Sequence, residues 1–544
     1  MRNDSSVKNI RVDKIVMAGA VTLMAYFAGD IIVANRGEIT LGFIFRFAVY
    51  MVPFMLAISL LRAGDFLGSL DFRISDVRFT HIVLSFIAAL LTYPIVIYFI
   101  GMPHPLALFL SLIILISVFI ALYYALSGKV FHGIIIYILT QPFTTFLLWA
   151  LAYNPEMFKV GVFNLHPSSV FMLSLFLIWI AGLMLKREPL IKHPALIAFL
   201  LFICWGGIAV LFSQDISKSL STWISEYFFP ILLFLLLINS VRTQKQILIL
   251  LYSLIYLSIF TVFFEFYFTL GAQQQLDIEA LHAINLFWAG RGALVLLAIP
   301  LNICLIRTVS KKMRIPILLS LVFLIIFLIL DNTRTAILAF FVSIVVFVNS
   351  RKYGSVIVVM ALAAVIFWNY GINLIFERFK VFEFTAQGLS MKTWSPMRYE
   401  GLIAAIGMIK EFPLLGIGPG MWDEYFYRYG APIIYATGPV YITAAHNGYL
   451  DYAAQMGLPG LILWLSFLFL IFKTCIKIIK NTKLILKRNI ALGCLGSLIA
   501  LCVGSFGGAF QFSTNGNLSV GIIMLGIVSI PIVLDRSEQQ LLEK

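Results

Sequence analysis

The chain has 544 residues, of which 61% are hydrophobic and only 12% charged, with a formal net charge of +14. Soluble domains carry about 25% charged residues, and this composition cannot cover the surface of a water-soluble fold of that length. A cytosolic enzyme, a disordered chain and a disulfide-built secreted scaffold are excluded. Apolar runs of helix-spanning length replace the short alternating segments of a transmembrane barrel, so the chain reads as an all-α polytopic membrane protein.

Taken in chain order, the apolar runs predict sixteen spans, at roughly 15–34, 39–61, 80–100, 105–126, 130–151, 168–185, 194–212, 222–239, 246–270, 291–306, 314–330, 335–349, 354–375, 457–476, 489–510 and 517–534. The first run lacks a small-residue cleavage site before Asn35-Arg36 and reads as an anchor. With the N-terminus inside, the inside segments hold 27 Lys and Arg against 11 outside, six of these in one long loop. The positive-inside rule then puts both termini in the cytoplasm. The basic balance is a topology signal, and no nucleic-acid partner is expected. Cys204, Cys304, Cys475, Cys494 and Cys502 lack metal or redox spacing and read as small core residues.

Residues 376–445 break the rhythm of short loops and fall outside. They hold fourteen aromatics with six basic and six acidic residues, a composition that can pack into an ordered extracytoplasmic domain. The aromatics suit sugar faces, and equally suit the headgroup level of a membrane. Ser395-Pro396 opens a helix with Leu402, Ile403, Ile406 and Ile409 on its apolar face, and Pro413 stops it. Gly416-Ile417-Gly418-Pro419-Gly420 then makes a backbone-rich turn, either a plain tight turn or a phosphate cradle. A second helix is expected from Thr443, as its cap, to Met456, with Gly457 as the stop and Pro459 just beyond.

Three outside arginines share a placement. Arg291 and Arg334 begin spans, and Arg398 lies in the first turn of the loop helix. A cation there opposes the helix dipole, whereas an anion bound at the same helix starts would be held by amides and guanidinium groups together. Snorkelling to lipid headgroups is the alternative for each. His446 is expected in the first turn of its helix, where the neutral imidazole is favoured and can accept a proton; a structural histidine stands beside that reading. Asp423-Glu424 offers either a base or metal ligand or a solvated loop face, and no zinc constellation is found. Asp30, Arg46, Glu226 and Glu265 fall within spans, as path-lining or packing residues.

The stretch RYEGLIAAIGMIKEFPLLGIGPG (398–420), followed by HNGYLDYAAQMGLPG (446–460), resembles the O-antigen ligase and Wzy-type polysaccharide polymerase superfamily, as does Asn332-Thr333-Arg334-Thr335-Ala336. The resemblance covers about residues 195–535. It implies a GT-C-like helical fold of about 14–16 transmembrane helices with one long extracytoplasmic loop domain. It also implies a bacterial cytoplasmic-membrane glycosyltransferase that takes undecaprenyl-diphosphate-linked glycans as donors on the outer face. The acceptor would be another glycan or lipid A-core, as in O-antigen, capsule or exopolysaccharide synthesis. No metal or cofactor is implied. The resemblance gives His446 the role of base and sets Arg334 and Arg398 as catalytic residues on the diphosphate. Arg291, Asn447 and Trp422 are its further contacts to lipid diphosphate or sugar. Many relatives carry an acid two residues before the Gly-Leu, where this chain has Gln455.

The expected organisation is an N-terminal addition of membrane helices (1–193), a first part of the membrane core (194–375), the loop domain (376–456) and C-terminal membrane helices (457–544). A lipid-linked glycan flippase or other secondary transporter is the alternative class, and it predicts matched interrupted halves that the sequence lacks. Polymerase, ligase and protein O-oligosaccharyltransferase would share one donor site and differ in acceptor.

Overall fold

The computed structural model describes residues 105–150, 159–160, 163–164, 167–186, 190–272, 291–306, 308–309, 311–331, 334–348, 383–385, 388–390, 396–430, 433–435, 438–440, 444–508 and 518–542. The first helices are α1 Pro105–Leu126, α2 Val130–Ala150 and α3 Pro167–Lys186, with the hairpin β1 Lys159–Val160 and β2 Phe163–Asn164 before α3. There follow α4 Pro194–Leu211, α5 Ile216–Trp223, α6 Phe229–Ser240, α7 Gln244–Ala272, α8 Arg291–Ile306, α9 Lys311–Asp331 and α10 Arg334–Val348. A π-turn, Ile224–Phe228, joins α5 to α6 into one continuous rod.

The long segment holds two three-residue hairpins, β3 Glu383–Thr385 with β4 Gly388–Ser390 and β5 Ile433–Tyr435 with β6 Gly438–Val440. Between these hairpins lie α11 Pro396–Glu411 and α12 Trp422–Tyr429. The chain closes with α13 Gly448–Asn481, α14 Ile485–Gly504 and α15 Leu518–Leu542. The expected spans at 15–34, 39–61, 80–100 and 354–375 lie outside the described residues, and every other one falls on a helix. The all-α reading holds; the only strands among the described residues are these three hairpins.

Among the described residues, seven helical stretches are long and apolar enough to cross a membrane, and shorter apolar helices accompany them. Burial explains why these helices are apolar nearly all round rather than striped. The windows of α7 and α15 are buried almost throughout, forming the centre of one core that also takes in residues of α1–α3. Peripheral helices instead expose whole apolar rows: Ile197, Leu201 and Ile208 on α4, Phe341 and Val345 on α10, and Ile462 and Phe469 on α13. Such rows are a liability in water and are solvated by lipid tails.

Small and hydroxyl residues join the buried helices, as expected where hydrophobic segregation does little work between helices. Gly493 of α14 sits against Cys304 of α8, and Ser497 Oγ donates to Leu297 O at 2.7 Å. Thr261 Oγ1 of α7 donates to Ser519 Oγ of α15 at 2.9 Å. The cysteines are all free; Cys304, Cys475 and Cys494 are buried as expected, but Cys204 is exposed on the outer face of α4.

Candidate functional site

Among the described residues, the segment that carries α11 and α12 meets the bundle at a backbone clamp around Gly457. Gly457 (φ 70°, ψ 176°) breaks α13 into two helices, which frees the carbonyls at the end of the first. The glycine turn after α11 satisfies them. Ile417 N–H donates to Ala454 O at 2.9 Å and Gly418 N–H to Gln455 O at 3.0 Å. Trp205 Nε1 of α4 donates to Met456 O at 2.9 Å, and Leu458 N–H donates back to Pro413 O at 2.8 Å. Gly420 N–H donates to the Gln455 side chain, Oε1, at 2.8 Å. With these amides engaged, the turn is a helix cap and not a phosphate cradle. Gln455 supplies this acceptor through its side-chain amide oxygen. Ala404, Ala405 and Met408 of α11, Trp422 and Phe426 of α12, and Ala445 and Ala454 close a small core over the clamp.

His446 does not lie in the first helical turn, as the sequence reading expected. Asn447 is the cap: its Oδ1 accepts from Tyr449 N–H at 3.1 Å and Leu450 N–H at 3.2 Å, which starts the helix at Gly448 rather than after Thr443. His446 sits one residue outside, half-buried, at φ 52°. It is the one non-glycine residue with positive φ among the described residues. That conformation costs roughly 1–2 kcal/mol and persists only where surrounding contacts fix it.

Those contacts grip both flanks. Ala445 N–H donates to Asp451 Oδ1 at 2.8 Å, while Gly448 N–H donates to Ser505 O at 2.8 Å, just past the end of α14. Asp451 is fully buried and was not singled out from the sequence; the available signal was a lone carboxylate in the apolar face of a short helix. Its other oxygen, Oδ2, has no hydrogen-bond partner. Asp451→Asn keeps an acceptor for Ala445 and is expected to retain stability and turnover. Asp451→Ala leaves a buried amide unpaired, costing about 1–3 kcal/mol, and is expected to lower both melting temperature and turnover. An asparagine variant as impaired as the alanine one would assign the role to the charge instead.

The three arginine-bearing helix starts can be placed from their backbones; their side chains lie outside the described residues. Helices α8 and α14 run antiparallel, with Pro300 opposite Gly496 and Leu297 bonded to Ser497, so at 1.5 Å per residue the Arg291 start comes level with the Gly504 end. Helix α10 also runs antiparallel to α14, since Phe347 meets Gly496 while Thr335, next to Arg334, meets Gly507. Gly507 belongs to the same turn that holds Gly448 through Ser505 and Gly508. The C-terminal end of α11 is pinned beside Gly457, and its middle shares a core with Ala445, so its first turn, with Arg398, lies on the His446 side. Four segments far apart in sequence thus begin at one end of the bundle.

The other singled-out residues serve structure. Trp422 is 3% exposed and packs within the small core. Asn447 Oδ1 is engaged as the cap. Glu424 pairs with Lys218 Nζ of α5 at 3.0 Å across a solvated surface, where such pairs contribute little. Beside it, desolvation raises the Asp423 carboxyl above its usual range, with Lys218 opposing and Glu424 adding to the shift. Glu226 lies in the π-turn, within electrostatic reach of Asp451. Asp30 and Arg46 lie outside the described residues, as does the side chain of Glu265. No group of three His, Cys, Asp or Glu side chains forms a metal-ligating cluster among the described residues.

Fold and site together define a polytopic helical membrane protein in which a long inter-helix segment folds back on the bundle and presents a strained histidine. The family model described as O-antigen ligase matches residues 319–465, from within α9 through the clamp and into the second half of α13. The match bears out the resemblance to the O-antigen ligase and Wzy-type superfamily over a shorter stretch than 195–535. No curated protein matches the chain.

Proposed function

We propose that the protein is a GT-C-like membrane glycosyltransferase that polymerises or ligates glycans carried on undecaprenyl diphosphate, at the outer face of a bacterial cytoplasmic membrane. The observation that carries this reading is the clamped, left-handed His446 at the end of the bundle where α8, α10 and α11 begin. His446 takes the proton from the acceptor hydroxyl as that oxygen attacks the anomeric carbon. The bond from that carbon to the diphosphate oxygen breaks, and undecaprenyl diphosphate leaves with its added negative charge facing Arg334 and Arg398, with Arg291 beside them. A single displacement inverts the anomeric configuration.

Pairing across the bundle supports a single reaction face. The segments that the charge count assigns to one side meet each other: Lys218 with Glu424, and Thr335 with the turn after α14. The experiment for orientation is a cysteine at Gln387 in a background without native cysteines. It is expected to react with a membrane-impermeant reagent in intact spheroplasts. Reaction only after permeabilisation would put His446 on the cytoplasmic face and remove the lipid-linked donor from its reach. The experiment for activity is transfer by the purified full-length protein from a lipid-linked repeat unit. A flippase would move the donor and leave its glycan length unchanged.

A further inference from the structure

The opposite end of α13 carries a second concentration of charge. From Gly448 to Lys473 the helix rises roughly 30–40 Å at 1.5 Å per residue, so this region is remote from His446. A cavity of about 550 Å³ opens there between the start of α4, the later turns of α13 and the end of α15. Lys192, Lys473, Lys477 and Arg536 line it, against the one carboxylate of Asp535. We propose that this cavity binds an anionic phosphate group, as a lipid headgroup or as free phosphate.

Three observations lead to that chemistry. Lys477 takes the one acid, with Nζ 2.7 Å from Asp535 Oδ1, which joins α13 to α15. Lys192 and Lys473, which line the same concavity, have no carboxylate partner among the described residues. The third observation is convergence. Lysines that only snorkel point outward to headgroups; these line one concavity from segments hundreds of residues apart. Such basic pockets between membrane helices suit phosphate headgroups. His193 adds a neutral wall: its Nδ1 accepts from Ala195 N–H at 3.2 Å, leaving the ring proton on Nε2, 3.4 Å from Thr474 Oγ1. Burial lowers its pKa, with Asp535 opposing the shift and Lys477 adding to it.

The test uses the purified full-length protein in detergent, with native mass spectrometry reading retained phosphatidylglycerol against phosphatidylcholine. Wild type is expected to retain phosphatidylglycerol preferentially, and the Lys192→Gln/Lys473→Gln variant to bind it roughly 25-fold more weakly, at about fivefold per lysine. Lys480→Gln/Lys483→Gln, which removes two exposed lysines beyond the cavity, is expected to bind as wild type does. Titration with inorganic phosphate separates the sources. A phosphatidylglycerol preference that millimolar phosphate does not displace assigns a lipid, and calorimetric phosphate binding lost in the cavity variant assigns free phosphate. Wild type with neither lipid preference nor phosphate binding overturns the proposal. So does an equal loss in the Lys480→Gln/Lys483→Gln control, which would reduce the effect to general surface charge. The wild-type lipid comparison stands whatever the variants' folding.

Discussion

His446→Ala is expected to lower turnover about 10²–10⁴-fold, the usual cost of losing a general base, while donor affinity changes little. The split follows from what each group touches. The acceptor proton moves only during reaction, whereas the diphosphate is charged before it. Arg334→Ala is therefore expected to weaken donor binding as well as turnover, and Arg334→Lys to restore only part of each, because lysine keeps the charge and loses the fork. His446→Ala leaves the clamp intact, since Ala445 and Gly448 supply their bonds through backbone amides. It also relieves none of the need for a left-handed residue, so a modest fall in melting temperature accompanies it. The assay is transfer from a lipid-linked repeat unit, with and without EDTA. A His446→Ala enzyme of near-normal rate that the chelator stops and a divalent ion restores would reassign the base to a metal-held group, with Asp423 and Glu424 the first residues to test.

Much of this architecture is legible in the sequence because a bilayer simplifies the code. Span length and the distribution of Lys and Arg are set by hydrocarbon thickness and insertion, and neither depends on how helices pack. Apart from 354–375, outside the described residues, each expected span from Pro105 onward accordingly falls on a described helix. Local signals were also readable where one residue decides the outcome, as with Pro396 opening α11 and Gly457 stopping the first half of α13. The helix start at His446 was not, because Thr443 and Asn447 are both good caps, and the choice rests on Gly448 reaching Ser505 from the end of α14. The glycine turn was ambiguous for the same reason. Its amides find their acceptors on Ala454 and Gln455, more than thirty residues on. The burial of Trp422 is not legible either, because an aromatic in a loop gives no sign of the core that Ala404, Met408 and Phe426 build around it.

Gly457→Ala is expected to be among the most damaging single substitutions in the chain. At φ 70° and ψ 176° the backbone occupies a region that is essentially restricted to glycine. An added Cβ would lie 2.0 Å from Leu414 O, 2.3 Å from Leu414 C and 2.9 Å from Leu415 N, all main-chain atoms that cannot swing aside. Either the kink straightens or the turn at 413–418 lifts away. Straightening draws Ala454 O and Gln455 O back into a continuous helix and strands the amides of Ile417 and Gly418. Lifting breaks the same bonds and opens the small core beneath His446. Backbone strain of about 1–3 kcal/mol and overpacking of about 1–3 kcal/mol together predict a loss of roughly 2–6 kcal/mol, with turnover lost as the clamp opens. Gly182→Ala provides the contrast. It lies in α3 with nothing within 4 Å of its Cβ position, and alanine in a helix interior is about 1 kcal/mol better than glycine. Thermal unfolding in detergent compares the two directly, and a Gly457→Ala protein that melts with wild type would mean that the two halves of α13 are not held by this clamp.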